Sequence, residues 1–371
     1  MAMWHLAALL HNLPLNSPVG NKYIAVVPSD DIRIAHLAEQ DGFRHLVNSF
    51  SDQFGREVRP SLLIAHDRVP KKIDPIIAFR NILAVSAICH AWENFLANGS
   101  QLEYFKYADY FDLYPYSLSK NGDVLIVHSP SILGLDEVNE FRGQTTPEIG
   151  TARSSDHFYD DQLFSALLQK WTDRYIKRSK YSWSTEVLFR SLEMAYRASV
   201  IPYQNRASIN DYGAHLALWV SSHEILARPE SENARPDKVL ALLTKATFDS
   251  ARLRATWYRV FSGKNRRPAS LVEKLYMDMH NARNDFLHGN PITLKSVFPS
   301  KKTNRSPLTS FAPVVYKCAL YSFLNLWKGR KPLSQGATSE FIRRRNFEEA
   351  LLASTKRRRR RATKRQSQRS S

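Results

Sequence analysis

From Asp160 onward, apolar residues recur at the three- and four-residue spacing of helices, segment after segment. No other feature constrains the fold as strongly, because amphipathic helices in series bury their stripes against one another. Helices are predicted near 160–178, 184–199, 213–228, 236–262 (broken in two), 270–287 and 309–328. Turn-like stretches separate them, among them IPYQNRASINDYG, RPESENARPD, SGKNRRP and GNPITLKSVFPSKKTNRSP. No repeat of solenoid period is visible, so residues 160–330 read as an antiparallel helical bundle.

Residues 1–150 carry mixed signals. β-like runs stand at Tyr23–Val27, Ser61–Ala65 and Asp123–His128, the last after an Asn121–Gly122 turn. Between them, Asp74 to Ala97 has helical spacing, with Asp74 as a cap and Pro75 at the first helical position. The aromatic stretch KYADYFDLYPYSL reads as a packed connection. The fold class expected is therefore an α+β N-terminal domain over 1–150, whose role is not legible, followed by a mainly α antiparallel bundle over 160–330. Residues 331–371 are expected to form a helical extension and a disordered basic tail.

Composition narrows the class. A chain of 371 residues that is 43% hydrophobic and 11% aromatic can bury a sizeable core. Its two cysteines, Cys89 and Cys318, sit in apolar stretches without neighbouring ligands, which implies buried thiols in a reducing compartment and no metal site. The opening MAMWHLAALLHNLPL is too short and too interrupted for a signal sequence, and IIAFRNILAVSAICHAW carries Arg80 and His90 and is expected to fall short of a membrane span. A cytoplasmic protein without a membrane partner is the expectation.

The net charge of +18 is concentrated at one end. The tail holds Lys356, Arg357, Arg358, Arg359, Arg360, Arg361, Lys364, Arg365 and Arg369 and no acidic residue, so removing these nine charges leaves +9. Such a polycation attracts phosphate backbones without reading sequence, or serves as a solubilising extension.

One helix carries candidate chemistry. In SLVEKLYMDMHNARNDFLH, Ser270 and Glu273 form a capping-box pattern directly after Pro268. Val272, Leu275, Tyr276, Met279, Ala282 and Phe286 then draw a core-facing stripe, along which Arg283 emerges. A guanidinium there needs a carboxylate partner or a solvent-filled cleft. Gly289, Asn290 and Pro291 follow His288 and stop the helix. A second Arg–His spacing, Arg59 to His66, runs through a β-like segment and reads as chance. At 100° per residue, Arg283 and His288 stand about 140° apart in a regular helix. They meet only if the helix ends or distorts near His288, or if two copies pair around one cleft.

The stretch LYMDMHNARNDFLHG resembles the signature of HEPN domains, particularly the Apea-like branch, in which Arg and a polar residue precede His-Gly at the end of a bundle helix. The stretch DYGAHLALWVSSHEILA, with Trp219 and Glu224, is similar to the earlier HEPN helix, although His223 stands where a small or apolar residue is expected. The resemblance covers about residues 160–330. It implies a bundle of four or five helices, often paired as homodimers, of a kind found in RNA-cutting toxins and defence proteins, many of them metal-independent RNases. Carried over, Arg283 and His288 would be the catalytic pair and Asn284 a polar accessory. Read structurally, Arg283 pairs with Glu224 across the bundle, Asn284 caps the helix end and His288 bonds a carbonyl in the final turn; for Glu224 that structural role, holding Arg283, is the expectation. His280 could line the same cleft or face solvent.

The residue types suit that chemistry. RNA supplies its own 2′-hydroxyl nucleophile, so cleavage needs a proton carrier, as His288 could be, and a positive group such as Arg283 for the phosphate. Neither metal nor cofactor is expected; RNA is the expected partner. The rival reading is a non-catalytic RNA- or nucleotide-binding or dimerising module. No Walker A, GxGxxG or GxSxG motif points elsewhere.

Overall fold

The computed structural model describes residues 4–13, 15–48, 50–52, 54–99, 106–113, 116–118, 125–127, 141–145, 158–178, 182–201, 208–262, 265–291, 296–298, 306–327 and 338–355. Three β-like runs of the sequence become strands. Strands β1 (Trp4–Leu10), β2 (Val19–Gly20), β3 (Ile24–Val27) and β5 (Ser61–His66) form an antiparallel sheet in the order β1-β5-β3-β2. Alternation along these strands splits their side chains between two cores. Leu9, Ala25, Val27, Leu62 and Ile64 pack with Phe43, Leu46 and Val47 of α1 (Asp41–Asn48), while Leu10, Ile24, Val26 and Leu63 join the main core. Strands β4 (Phe50–Asp52) and β8 (Phe141–Thr145) pair in parallel, and β6 (Tyr116–Leu118) pairs with β7 (Leu125–Val127).

The remaining chain is mainly helical. Helix α2 (Ile73–Asn98) is apolar all round, and the reason is its position: α3 (Asp161–Tyr175), α4 (Trp183–Val200), α9 (Leu308–Phe323) and α10 (Thr338–Ala353) pack around it. The expected break at residue 150 therefore does not separate two cores, because α2 lies within the bundle and shares its core with one face of the sheet. Contrary to expectation, α2 is long and apolar enough to cross a membrane, but 83% of its most apolar window is buried inside the protein. Lys72, not Asp74, is its cap residue, and Asp74 instead accepts a hydrogen bond from the Tyr175 hydroxyl at 2.7 Å. Trp171 donates to the Pro75 carbonyl at 2.8 Å, fixing α3 across the start of α2.

A buried charge cluster pins three of these helices. Lys317 on α9 contacts Asp160 at 2.6 Å and also pairs with Glu93 of α2. Asp160 caps α3 through the Leu163 amide and accepts from the Tyr321 hydroxyl. Burial pushes the Asp160 carboxyl up, but the Lys317 charge and these hydrogen bonds outweigh it and hold the pKa at about 2.

The single broken helix expected over 236–262 is a different object. It consists of α6 (Pro236–Leu243), the one-turn α7 (Ala251–Arg254) and β9 (Tyr258–Ser262), which pairs with β10 (Asn265–Ala269). From Arg259 to Phe261 exposed and buried positions alternate, and the β-period wins over the helical one. Helix α5 (Ile209–Leu226) and helix α8 (Leu271–Leu287) complete the bundle. Cys89 and Cys318 are both buried. Of the C-terminal segment, α10 is the expected helical extension, and the candidate basic contacts from Lys356 onward lie outside the described residues.

Candidate active site between α5 and α8

Both helices are set locally before they meet. Ser208 and Asp211 form a capping box at the start of α5, and Ser270 and Glu273 form another at the start of α8, as the sequence predicts. At the far end of α8, His288 is the C-cap, its amide donating to the Asn284 carbonyl at 2.9 Å. Gly289 follows in the left-handed region at φ 70°, which favours glycine.

The helices run antiparallel and close together. Gly213 near the start of α5 faces Phe286 near the end of α8, and a Cβ at Gly213 would stand 2.2 Å from the Phe286 ring. Further along, the His223 and Tyr276 rings lie 5.5 Å apart. Long side chains on a helix lean toward its N-terminus, so in an antiparallel pair Glu224 and Arg283 lean toward each other. The Arg283 Nη2 donates to Glu224 Oε1 at 2.5 Å. Side-chain exposures of 16% and 17% place this pair at a shielded edge of the interface.

His280, one turn before Arg283, belongs to the same cluster. Its Nε2 lies 3.7 Å from Glu224 Oε1, its Nδ1 lies 3.4 Å from Asn284 Nδ2, and its ring is tilted on Tyr276. Burial first and the Arg283 charge second push the His280 pKa down to about 4, so the ring is neutral at pH 7. For Glu224, burial raises the pKa while the Arg283 charge and hydrogen bond pull it back. The Arg283 Nε is buried and has no hydrogen-bond partner among the described residues. Beneath the cluster, His223 is fully buried, with Nδ1 2.7 Å from the Trp219 carbonyl oxygen, and its pKa is pushed down to about 4 by burial.

The structure thus brings together Arg283, Glu224, Asn284 and His280, and it does not bring His288 to them. Helix α8 stays regular to Leu287, so His288 keeps its large angular offset from Arg283 and is exposed at the helix end. Sequence reading left His280 unassigned because its partner, Glu224, is 56 positions away; only the stripe Tyr276–His280–Arg283, four and three residues apart, hinted at a shared face. Chemically, the cluster offers a fixed guanidinium beside a neutral imidazole, and the helix end offers an accessible imidazole. Among the described residues no group of three or more His, Cys, Asp or Glu side chains is placed to hold a metal ion. A scan of protein-family models, a search of curated proteins and a search of solved structures each found no match for this chain.

Proposed function

We propose that the chain is a HEPN-type endoribonuclease that works without a metal ion. His288 moves the proton between the RNA 2′-hydroxyl and the leaving oxygen, and Arg283 meets the charge that develops on the phosphate. The observation that carries this reading is the Arg283–Glu224 hydrogen bond across α5 and α8 on the same helix whose C-cap is the exposed His288. Glu224 holds the guanidinium so that it is ordered before substrate arrives. Because the two groups are offset around α8, the working cleft is completed by a second copy of the chain, one copy giving Arg283 and the other His288. Asn284 steadies the imidazole of His280 at the edge of this cleft. The basic tail raises the local RNA concentration.

An equimolar mixture of Arg283→Ala and His288→Ala proteins tests the shared cleft. Recovery of part of the wild-type cleavage in the mixture supports it; no recovery, with both variants folded and dimeric, overturns it.

The second reading is a module that binds RNA or a nucleotide without cutting it. It is favoured by the shielding of Arg283, whose guanidinium is already committed to Glu224. Wild-type protein that binds RNA and leaves it intact would support this reading.

A further inference from the structure

The β9–β10 hairpin has one covered face and one open face, and their chemistries differ. In its register Arg266 pairs with Phe261, Arg267 with Val260 and Pro268 with Arg259. Val260 and Ala269 on the inner face are buried. The outer face carries Arg259, Phe261, Arg266 and Pro268, all exposed. Trp257 leads into the strand at 70% exposure, and Phe261 is 61% exposed. Two large open aromatic rings on one short hairpin are not needed for its packing.

Charge within this segment of the sequence is of one sign. From Ala251 to Ala269 the sequence contains Arg252, Arg254, Arg259, Lys264, Arg266 and Arg267 and no acidic residue. Arg267 is drawn inward by the Glu273 carboxylate at 2.6 Å, which ties the hairpin to the first turn of α8. The Arg266 guanidinium lies 5.6 Å from the centre of the Phe261 ring. Open aromatic rings alternating with arginines match a strand of bases and phosphates, since any base stacks on a ring and any phosphate attracts a guanidinium.

The tail begins at the same place. Arg252 Nη2 donates to Thr355 Oγ1 at 2.9 Å, and the basic run starts at the next residue, Lys356. The amides of Asp249 and Ser250, just before α7, donate to Glu348 of α10 at 2.5 and 2.9 Å. The described chain therefore ends anchored on α7, the turn that precedes the hairpin in sequence.

We infer that the outer face of the β9–β10 hairpin, with Trp257 and Phe261 as stacking rings and Arg259 and Arg266 as phosphate contacts, binds single-stranded nucleic acid. The surface is separate from the α5–α8 cluster and from His288, because the hairpin leads into the start of α8, about 14–18 Å from His280 and Arg283 and about 25 Å from His288 by helix rise. It shares with the nuclease reading only the class of partner, and its test reads binding and not cleavage.

The test is fluorescence anisotropy of labelled oligo(dT), oligo(U) and a duplex of equal length with the full chain. The oligo(dT) arm lacks the 2′-hydroxyl, so it reports binding whether or not the protein is a nuclease. The double variant Trp257→Ala/Phe261→Ala is expected to weaken single-strand binding about tenfold or more at fixed salt and to change duplex binding little. The double variant Arg259→Gln/Arg266→Gln is expected to flatten the salt dependence by about two phosphate contacts. All four side chains are exposed, so neither variant disturbs the core, and the tail contributes equally to every protein compared. Single-strand affinity unchanged in the aromatic variant overturns the inference, as does an equal loss for single strand and duplex. Loss with oligo(U) alone assigns the surface to RNA; loss with both oligomers assigns it to single strands in general.

Discussion

Glu224 on α5 accepts a 2.5 Å hydrogen bond from Arg283 on α8, and the two side chains are only 17% and 16% exposed. Each residue makes the other tolerable there, since a lone charge at such a site is costly. Glu224→Ala is expected to lower the unfolding free energy by about 3 kcal/mol because Arg283 is left shielded and unpaired. The double variant Glu224→Ala/Arg283→Ala should lose clearly less than the sum of the single losses. Urea unfolding of the four proteins checks this; strictly additive losses would mean the pair is not coupled.

Gly213 is the point of closest approach between the same helices. Alanine normally stabilises a helix interior relative to glycine by about 1 kcal/mol. Here the added Cβ would meet the Phe286 ring at 2.2 Å, so Gly213→Ala is expected to destabilise by about 1–3 kcal/mol instead. Adding Phe286→Leu should recover part of the loss. A Gly213→Ala protein more stable than wild type would show that the helices are further apart.

How much of this could be seen in the sequence differs from element to element. The capping box at Ser270, the stop at Gly289 and the need of Arg283 for a carboxylate were legible, because each depends on neighbours in sequence or on one buried stripe. The placement of α2 was not, since a helix apolar on all sides has no face that names its partners. The β9–β10 hairpin was hidden inside a segment whose apolar residues fit a helical period as well as an alternating one. His280 and the Lys317 cluster needed tertiary structure, their partners being distant in the chain.

Lys317 neutralises two carboxylates, Glu93 and Asp160, at a fully enclosed site. Lys317→Met would leave both anions buried without a cation and is expected to cost about 3–5 kcal/mol at pH 7. In wild type, Asp160 has a depressed pKa; its contribution is present above the ordinary aspartate value of 3.8 and is lost as pH falls through about 2. In the variant the sign reverses, because Asp160 keeps the burial that raises its pKa and loses the lysine charge that outweighed it, so mild acid should restore stability. Denaturation midpoints of the variant at pH 7 and 5 check this; a midpoint that falls in acid as steeply as that of wild type would contradict it.

Among the described residues four histidines, His11, His215, His223 and His280, are lowered by burial and set the acid side of the wild-type profile. His215 and His223 are pushed down to about 4 by burial, and His280 to about 4 by burial and then by Arg283. A histidine with a lowered pKa stabilises the fold fully above its unfolded value near 6.5, and that contribution is lost as pH falls toward 4. Glu224, raised by burial, has the opposite sign: its contribution is present below the ordinary glutamate value and lost as pH rises through the raised one. Between pH 7 and 5 the histidines dominate, with a loss on the order of 2 kcal/mol per buried ring at pH 5. A thermal midpoint that stays level over this range would show that the rings protonate freely in the folded protein.

The most direct measurement of the central claim is RNA cleavage by wild-type protein, Arg283→Ala and His288→Ala in excess chelator, with transfer RNA and total RNA as substrates. Cleavage by wild type that leaves 2′,3′-cyclic phosphate ends and falls at least a hundredfold in each folded variant, about 3 kcal/mol of transition-state stabilisation, is the expected result. Equal cleavage by all three proteins, or none by wild type that binds the same RNA, would contradict a nuclease site built on Arg283 and His288.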